Sequence, residues 1–284
     1  MLFRSVVTNG ASEALDLTFR AICGSGDKVL VHAPYYYSYV PLLKASHITP
    51  VITKTIEGKI QIGDFEKKID ECKAVLINSP SNPTGRVQDV NTLKEIEKIC
   101  REKNKIIVSD EVYKDLIYTR KNYMLKGNHV VTINSFSKTF GMCGCRVGYL
   151  YSNDSDIVNN AIEIKSHTSM NTNILAQDMA SEALKAPRSF IEKQRKIWQK
   201  RRDFIYRGLL DLSLDLWKPE GAFYVFPKIK NPRRVVYRLY RDYKVITYLG
   251  EWFGDNERIR LSYALNEDMI EEGLKRIKKY LDKI

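Results

Sequence analysis

Three features of the sequence predict an α/β fold, with a mostly parallel sheet flanked by helices and a smaller C-terminal α+β domain. Strands alternate with helices from Val29 to Tyr151. The polar clusters of that region each follow a strand, as expected of an open sheet that binds ligands beyond the carboxyl ends of its strands. After residue 185, a long basic helix leads into mixed strands and helices. We therefore predict a large domain over 1–185, a small domain over 186–284, and a linking helix near 187–212.

Hydrophobic periodicity predicts where the individual helices and strands lie along the chain. Apolar residues at helical spacing, such as Leu93, Ile96 and Ile99 on one face, indicate amphipathic helices. The predicted helices span 12–22, 64–69, 91–103, 154–165, 173–185, 187–212, 233–242 and 267–281. Runs rich in β-branched and aromatic residues indicate strands. The predicted strands span 28–32, 47–52, 74–77, 106–109, 130–134, 147–151, 221–226, 244–248 and 258–263.

Composition narrows the class of protein. Apolar residues make up 44% and charged residues 28% of the chain, as in ordinary soluble globular proteins. No apolar run is long enough to span a membrane, and residues 1–6 lack the pattern of a signal peptide, so we expect a cytoplasmic protein without a membrane partner. The five cysteines lack the spacing of zinc ligands, so we expect reduced thiols and no metal site.

The net charge of +12 allows a nucleic-acid binder as one interpretation. However, acidic residues are interleaved with the basic ones, and the densest basic run, over 193–202, lies on one predicted helix. A solvated helix face explains this pattern better, so we expect no nucleic-acid partner.

The first polar cluster is Asn9-Gly10-Ala11-Ser12, at the start of a predicted helix. Glycine allows close backbone approach, and the N–H groups of a helix start attract an anion. An ordinary Asn-Gly turn with a serine cap is the alternative, and it is the better interpretation of this cluster alone.

Further clusters follow later strands. Tyrosines 35, 36, 37 and 39 come after Pro34, and a ring at a strand end can stack on a flat ligand. Asn82 precedes Pro83, which favours an extended backbone and a fixed amide direction. Asp110 and Tyr113 are three residues apart, so one helical turn would place them on the same side.

The most telling residue is Lys138, which follows a predicted strand in the run Asn134-Ser135-Phe136-Ser137-Lys138. It has no charged neighbour in the sequence. A lysine shielded from other charges loses its proton more easily and becomes a nucleophile. A solvated loop lysine is the alternative for this residue taken alone.

Together and in this order, these clusters resemble the fold-type I pyridoxal-phosphate enzymes, specifically the class I and II aminotransferases close to aspartate aminotransferase. The resemblance runs from about Val6 to the C-terminus. The residues that carry it are Gly10-Ala11-Ser12, an aromatic residue after Pro34, Asn82-Pro83-x-Gly85, Asp110-x-x-Tyr113, Ser135-x-x-Lys138, Arg146 and Arg260. It implies a homodimer that uses pyridoxal 5'-phosphate to move an amino group between an L-amino acid and a 2-oxo acid.

The resemblance also implies roles for single residues. Lys138 would form a Schiff base with the cofactor and shuttle the α-proton of the substrate. Asp110 would keep the pyridine nitrogen protonated, Tyr113 and Asn82 would hydrogen-bond the phenolic oxygen, and Tyr36 would stack on the ring. Tyr35 and Tyr37 are the alternatives to Tyr36.

The phosphate of the cofactor and the α-carboxylate of the substrate would be bound by separate sets of residues. The phosphate would be held by Gly10, Ala11, Ser12, Ser135 and Arg146, with Ser137 close by. Arg260 would bind the substrate α-carboxylate as a bidentate fork, with Asn82 beside it. Arg258 is the rival, because alternation on a strand would point both arginines to the same face.

The sequence departs from the family pattern in three ways. Family members begin with a further segment that covers the site and supplies a tyrosine to the neighbouring subunit, and we expect both to be missing here. The connection between Tyr118 and His129 is short, and Cys145 stands where a bulkier residue is common. We expect these departures to affect domain closure and the catalytic rate more than the binding of the cofactor.

Two other functions fit the same residues. A β-lyase or decarboxylase of this fold would use the same cofactor and break a different bond. A truncated, non-catalytic relative would use its basic surface for binding or regulation.

Overall fold

A computed structural model describes residues 4–119 and 123–283 and centres on a seven-stranded sheet. The strands are β1 (Ser5–Thr8), β2 (Lys28–Ala33), β3 (Thr49–Lys54), β4 (Ala74–Asn78), β5 (Ile106–Asp110), β6 (Val130–Ser135) and β7 (Gly148–Ser152). Their order across the sheet is β1-β7-β6-β5-β4-β2-β3. Strands β2 to β6 pair in parallel, whereas β7 runs against both β1 and β6. The predicted mostly parallel sheet is confirmed.

Helices cover both faces of this sheet. They are α1 (Ala11–Ile22), α2 (Tyr39–Ala45), α3 (Ile62–Ile69), α4 (Val90–Glu102), α5 (Phe136–Thr139), α6 (Ser155–His167) and α7 (Ile174–Leu184). On one face, Leu15 and Phe19 of α1 are buried against the sheet and α6. On the other face, Phe65 of α3 and Ile96 of α4 are fully buried. A sheet covered on both faces explains why its central strands are continuously apolar.

The C-terminal part contains a smaller sheet of three strands in the order β8-β10-β9. Its elements are α8 (Arg188–Asp211), β8 (Tyr224–Val225), α9 (Pro232–Tyr243), β9 (Tyr248–Leu249), β10 (Ile259–Ser262) and α10 (Glu267–Leu281). Leu209 of α8 and Ile277 of α10 belong to one buried cluster, which also includes Tyr113 and Leu116 from beyond β5. The division of the chain at residue 185 stays a prediction, because residues from both sides of it belong to this cluster.

Several predicted elements differ from the observed ones. The predicted strand over 244–248 is wrong except at Tyr248, because Lys244 adopts a left-handed conformation at the end of α9 and Ile246 is 70% exposed. The β-branched residues Val245, Ile246 and Thr247 favour an extended backbone. Here they form only the connection between α9 and the two-residue strand β9. Helix α2 was not predicted, and Lys138 lies on the short helix α5 rather than in a loop.

No helix in the described part of the chain is long and apolar enough to cross a membrane. The predicted short connection between Tyr118 and His129 includes residues 120–122, which lie outside the described residues.

Strand β7 passes very close to the turn before α1. A Cβ atom on Gly148 would lie 2.7 Å from the Asn134 carbonyl oxygen and 2.9 Å from the Ala11 backbone nitrogen. Gly10 in that turn has a φ of 81°, which L-residues with side chains rarely adopt. Both glycines are therefore needed for α1 to begin beside β7.

We predict that Gly148→Ala lowers the free energy of unfolding by about 1–3 kcal/mol, because the atoms it would meet are backbone atoms. Urea denaturation measures this change. Gly144→Ala is the matched control, since its Cβ would have no atom within 4 Å, and we expect a change below about 0.5 kcal/mol. Equal losses in the two variants would contradict the close-approach argument.

Candidate active site

A cavity of about 270 Å³ lies at the carboxyl ends of β4, β5 and β6, where Asn78, Asp110 and Ser135 line it. The structure brings almost all predicted site residues to this cavity. Those that line it are Ala11, Ser12, Tyr36, Asn82, Asp110, Tyr113, Ser135, Ser137, Lys138, Arg146 and Arg260. Gly10 is the exception, but its backbone lies against the Arg146 guanidinium.

Lys138 is presented to the cavity by α5, which begins directly after β6. Ser135 caps this helix, since its Oγ accepts a hydrogen bond of 3.1 Å from the backbone N–H of Ser137. The half-buried Lys138 Nζ lies 5.7 Å from the centre of the Phe223 ring and 3.9 Å from Cys143 Sγ. It forms no ion pair with a carboxylate of the described residues.

Asp110 lies at the end of β5 and is only 4% exposed. Its Oδ2 accepts a hydrogen bond of 2.5 Å from the Tyr39 hydroxyl, and its Oδ1 accepts one of 3.3 Å from the Val112 N–H. Burial raises the pKa of Asp110 to about 6, against the opposing effect of these hydrogen bonds and of the Lys138 charge. Sequence reasoning did not single out Tyr39 among its neighbouring tyrosines, because only the fold shows that α2 turns its hydroxyl onto Asp110.

Arg260 and Asn82 line the cavity and contact each other. Arg260 Nη1 donates a hydrogen bond of 2.9 Å to Asn82 Oδ1. The guanidinium carbon lies 4.4–4.8 Å from the ring centres of Tyr224, Tyr248 and Phe253. These rings fix the guanidinium plane, while its Nε has no partner among the described residues.

The rival arginine, Arg258, does not line the cavity. Its guanidinium lies 4.0 Å from the Trp217 ring centre, and its Nη1 donates to the Phe226 carbonyl. Arg258 pairs with Lys228 in a β-bridge directly before β10, but its guanidinium packs on Trp217, so the predicted alternation does not bring both arginines to the cavity. Of the rival tyrosines, Tyr37 lines the cavity with Tyr36, whereas Tyr35 does not.

Tyr113 follows Asp110 in a turn rather than on a helix. Its buried hydroxyl is 2.9 Å from the hydroxyl of Tyr224, which also lines the cavity. Burial raises the pKa of both phenols, so both stay protonated at neutral pH. Sequence reasoning did not identify Tyr224, because this pairing joins residues 111 positions apart.

The turn before α1 is held by an ion pair that the sequence did not reveal. Glu13 accepts hydrogen bonds from the backbone and side-chain amides of Asn9, at 2.5 and 3.2 Å. The 6%-exposed Lys165 of α6 lies 3.1 Å from the same carboxylate and donates to Ser169. Burial alone would raise the pKa of Glu13, but the hydrogen bonds from its neighbours lower it. The predicted serine cap is absent, since Gly10 is the N-cap residue of α1.

The lining therefore combines one primary amine, one buried carboxylate and two arginines placed apart. Arg146 Nη1 donates to the Cys143 carbonyl, and its Nη2 lies over Gly10, so it faces the start of α1. No group of three or more metal-binding side chains occurs within residues 4–119 and 123–283. A lysine and a buried carboxylate at the strand ends of such a sheet are the arrangement expected of a fold-type I pyridoxal-phosphate enzyme.

Comparisons with known proteins agree with this class. The family model for class I and II aminotransferases matches residues 4–277. The probable aspartate aminotransferase of Methanocaldococcus jannaschii is 36% identical, over 98% of this chain and 77% of the relative. The solved aspartate aminotransferase of Thermotoga maritima is 33% identical with a TM-score of 0.92, over 98% of this chain and 76% of that one. The aromatic aminotransferase of Pyrococcus horikoshii is 30% identical with a TM-score of 0.93, over 99% and 80%.

The chain belongs to the class I and II aminotransferase family. Members of this family are transaminases that depend on pyridoxal phosphate, so the predicted fold class and reaction type are confirmed.

The raised pKa of Asp110 leads to a prediction for the cofactor-free protein. Burial favours the protonated carboxyl, so the ionised form destabilises the fold above about pH 6, and this penalty disappears as the pH falls towards 3.8. Asp110→Asn should therefore raise the free energy of unfolding by about 2–3 kcal/mol at pH 8 and change it little near pH 4. Urea titrations at the two pH values measure this difference.

Glu111→Gln is the matched control. Burial raises the pKa of Glu111 to about 7, and Glu111 does not line the cavity. Glu111→Gln should show a similar pH-dependent gain in the free energy of unfolding. Only Asp110→Asn should also weaken the binding of pyridoxal phosphate. If Asp110→Asn raised the free energy of unfolding equally at pH 4 and pH 8, burial of the Asp110 charge would not be the cause of the gain.

Proposed function

We propose that pyridoxal phosphate binds in the cavity during transamination, and that Lys138 is the residue that carries the cofactor. The supporting observation is that one cavity places the Lys138 amine, the buried Asp110 carboxylate and two arginines together. When bound, pyridoxal phosphate supplies an electron sink for the charge left on the substrate α-carbon.

The residues present fit the chemical groups of this cofactor. For the phosphate, Arg146 and Ser135 offer a guanidinium and a hydroxyl. Gly10, Ala11 and Ser12 offer the N–H groups at the start of α1. The approach of Arg146 to Gly10 places the charged and backbone donors on the same side of the cavity.

For the pyridine ring, Asp110 offers a carboxylate to a protonated nitrogen. A positive charge placed against Asp110 would favour its ionised form and offset the effect of burial on its pKa. The Tyr39 hydroxyl donates to Asp110 and holds the carboxylate in place. Tyr36 lines the cavity and offers a ring face for stacking.

Asn82 and Tyr113 are proposed to donate hydrogen bonds to the phenolic oxygen. The Asn82 Oδ1 is already occupied by Arg260, so its amide N–H groups remain as donors. The Tyr113 hydroxyl is paired with Tyr224, which positions it. Asn82 would thus contact both the phenolic oxygen of the cofactor and Arg260, the residue proposed to bind the substrate.

Arg260 is proposed to bind the α-carboxylate of the amino acid. Its rings and Asn82 hold the guanidinium in one plane, as a bidentate contact requires. Lys138 would then remove the proton at the α-carbon, which requires a neutral amine close to that atom. The absence of an ion pair to Lys138 within the described residues supports this role.

Replacing Lys138 provides the main test. We predict that Lys138→Ala reduces transamination by at least about a thousandfold, because the proton acceptor is lost. After borohydride reduction, mass spectrometry should find the cofactor on residue 138 of the wild-type protein. Lys138→Arg is the matched control: it keeps the charge but cannot lose its proton, so it should be equally inactive. Cofactor found on another lysine would overturn the assignment.

We further propose that the chain forms a homodimer through the outer face of α7. Ala176 and Ala180 pack against Phe136 of α5. The residues that α7 leaves exposed include Ile174, Leu175, Met179 and Leu184, which are 53–69% exposed. An exposed apolar helix face of this kind is typical of a protein–protein contact, and here it lies behind the helix that carries Lys138.

The double variant Leu175→Glu/Met179→Glu should shift the protein to a monomer of 32.9 kDa in light scattering, because it places charges in the proposed contact. Ile246→Glu is the matched control, since Ile246 is 70% exposed but lies between α9 and β9. A dimer that survives the double variant would place the contact elsewhere.

A further inference from the structure

Tyr224 lines the cavity, yet the proposed function gives it no contact of its own with the substrate or the cofactor. It lies on β8, directly opposite Ser262 in the register of β10. Residues two apart on a strand share a face, so Tyr224 and Arg260 lie on the same face of the small sheet. The Arg260 guanidinium carbon is 4.5 Å from the centre of the Tyr224 ring.

The hydroxyl of Tyr224 reaches a residue that follows the large sheet. It lies 2.9 Å from the hydroxyl of Tyr113, which comes three residues after the end of β5. The two rings pack edge to face, with an interplanar angle of 85°. Both side chains are buried, where a hydrogen bond is stronger than in water. One side chain therefore contacts Arg260 through its ring and Tyr113 through its hydroxyl.

The proposed role of Tyr113 decides the direction of this hydrogen bond. A phenol has a single hydrogen to donate. When Tyr113 donates that hydrogen to the phenolic oxygen of the cofactor, its own oxygen can only accept, so Tyr224 must be the donor of the pair. Hydrogen bonds in a chain polarise and strengthen one another. Donation by Tyr224 therefore makes Tyr113 a stronger donor to the cofactor.

We infer that Tyr224 is a positioning residue with two separate tasks, an inference that rests on the proposed function. Its hydroxyl orients Tyr113 and strengthens the hydrogen bond from Tyr113 to the cofactor. Its ring holds the Arg260 guanidinium in the plane that a substrate carboxylate requires. Because β8 pairs with β10, the backbone of Tyr224 is fixed relative to Arg260, and both tasks depend on one rigidly held side chain.

Tyr224→Phe removes the hydroxyl and keeps the ring. A donor that stabilises negative charge on the phenolic oxygen weakens the hold of that oxygen on the proton at the Lys138 nitrogen, and so lowers the pKa of this nitrogen. In the chain loaded with pyridoxal phosphate, an absorbance titration should find this pKa raised by about half a pH unit or more in Tyr224→Phe. KM for the amino acid that the wild type converts best should change by less than about twofold.

The same titration in a Tyr113→Phe background shows whether Tyr224 acts through Tyr113. Tyr113→Phe alone should raise the pKa of the Lys138 nitrogen, and adding Tyr224→Phe should then shift it by less than about 0.2 pH unit. Tyr263→Phe is the matched control, because it removes a hydroxyl of the same buried cluster that donates to the Ala222 carbonyl and does not line the cavity. It should leave the pKa of the Lys138 nitrogen unchanged.

Tyr224→Leu tests the ring, since it removes the contact with Arg260 as well as the hydroxyl. KM should rise at least about threefold above the value for Tyr224→Phe, because the guanidinium is no longer held in one plane. If Tyr224→Leu does not fold, Tyr224→Met takes its place, with the same expected rise in KM.

The two tasks can be overturned separately. An unchanged titration in Tyr224→Phe, or a shift that persists in full without the Tyr113 hydroxyl, overturns the role of the hydroxyl. Equal KM values for Tyr224→Phe and the variant without a ring overturn the role of the ring. Failure of the proposed function has a different signature, since the wild type itself would then attach no cofactor at Lys138 and would give no titration.

Discussion

The burial of one carboxylate governs the arrangement of this site. Asp110 ends a central strand, where it is buried and forms no ion pair with a described residue, although the Lys138 charge lowers its pKa. Its shortest hydrogen bond comes from the Tyr39 hydroxyl. Such a group is costly to the fold on its own and becomes favourable only when a positive charge is brought to it. A positively charged group of the ligand would therefore balance the charge of Asp110. Before that ligand binds, the rest of the sheet must be stable enough to offset the cost of burying the carboxylate.

Much of the large sheet and of the site could be predicted from the sequence, because both follow from local patterns. Continuous apolar runs identified the central strands, and polar residues directly after them identified the edge where a ligand binds. Lys138, Asp110 and Asn82 each follow a strand of this sheet, and parallel strands bring their carboxyl ends to one edge. The resemblance to a known family then ordered these clusters, and the model of that family matches residues 4–277.

The residues that the sequence did not reveal all act across long separations. Tyr39 reaches Asp110 over 71 positions, and Tyr113 meets Tyr224 over 111. Nothing in the local sequence distinguishes Tyr39 from three adjacent tyrosines, or Lys165 from the many solvated lysines. The wrong strand over 244–248 has the same origin, because β-branched residues favour an extended backbone whether or not a partner strand is available.

The Glu13–Lys165 pair has a consequence for how the protein is made. The turn that begins α1 belongs to the first dozen residues, yet its supports lie far later: Lys165 is 152 positions away, and Gly148 belongs to β7. During synthesis, the early residues cannot adopt their final turn until α6 has emerged and β7 has paired with β1. A phosphate bound at this turn, as proposed above, would therefore require α6 to be in place and β7 to be paired with β1.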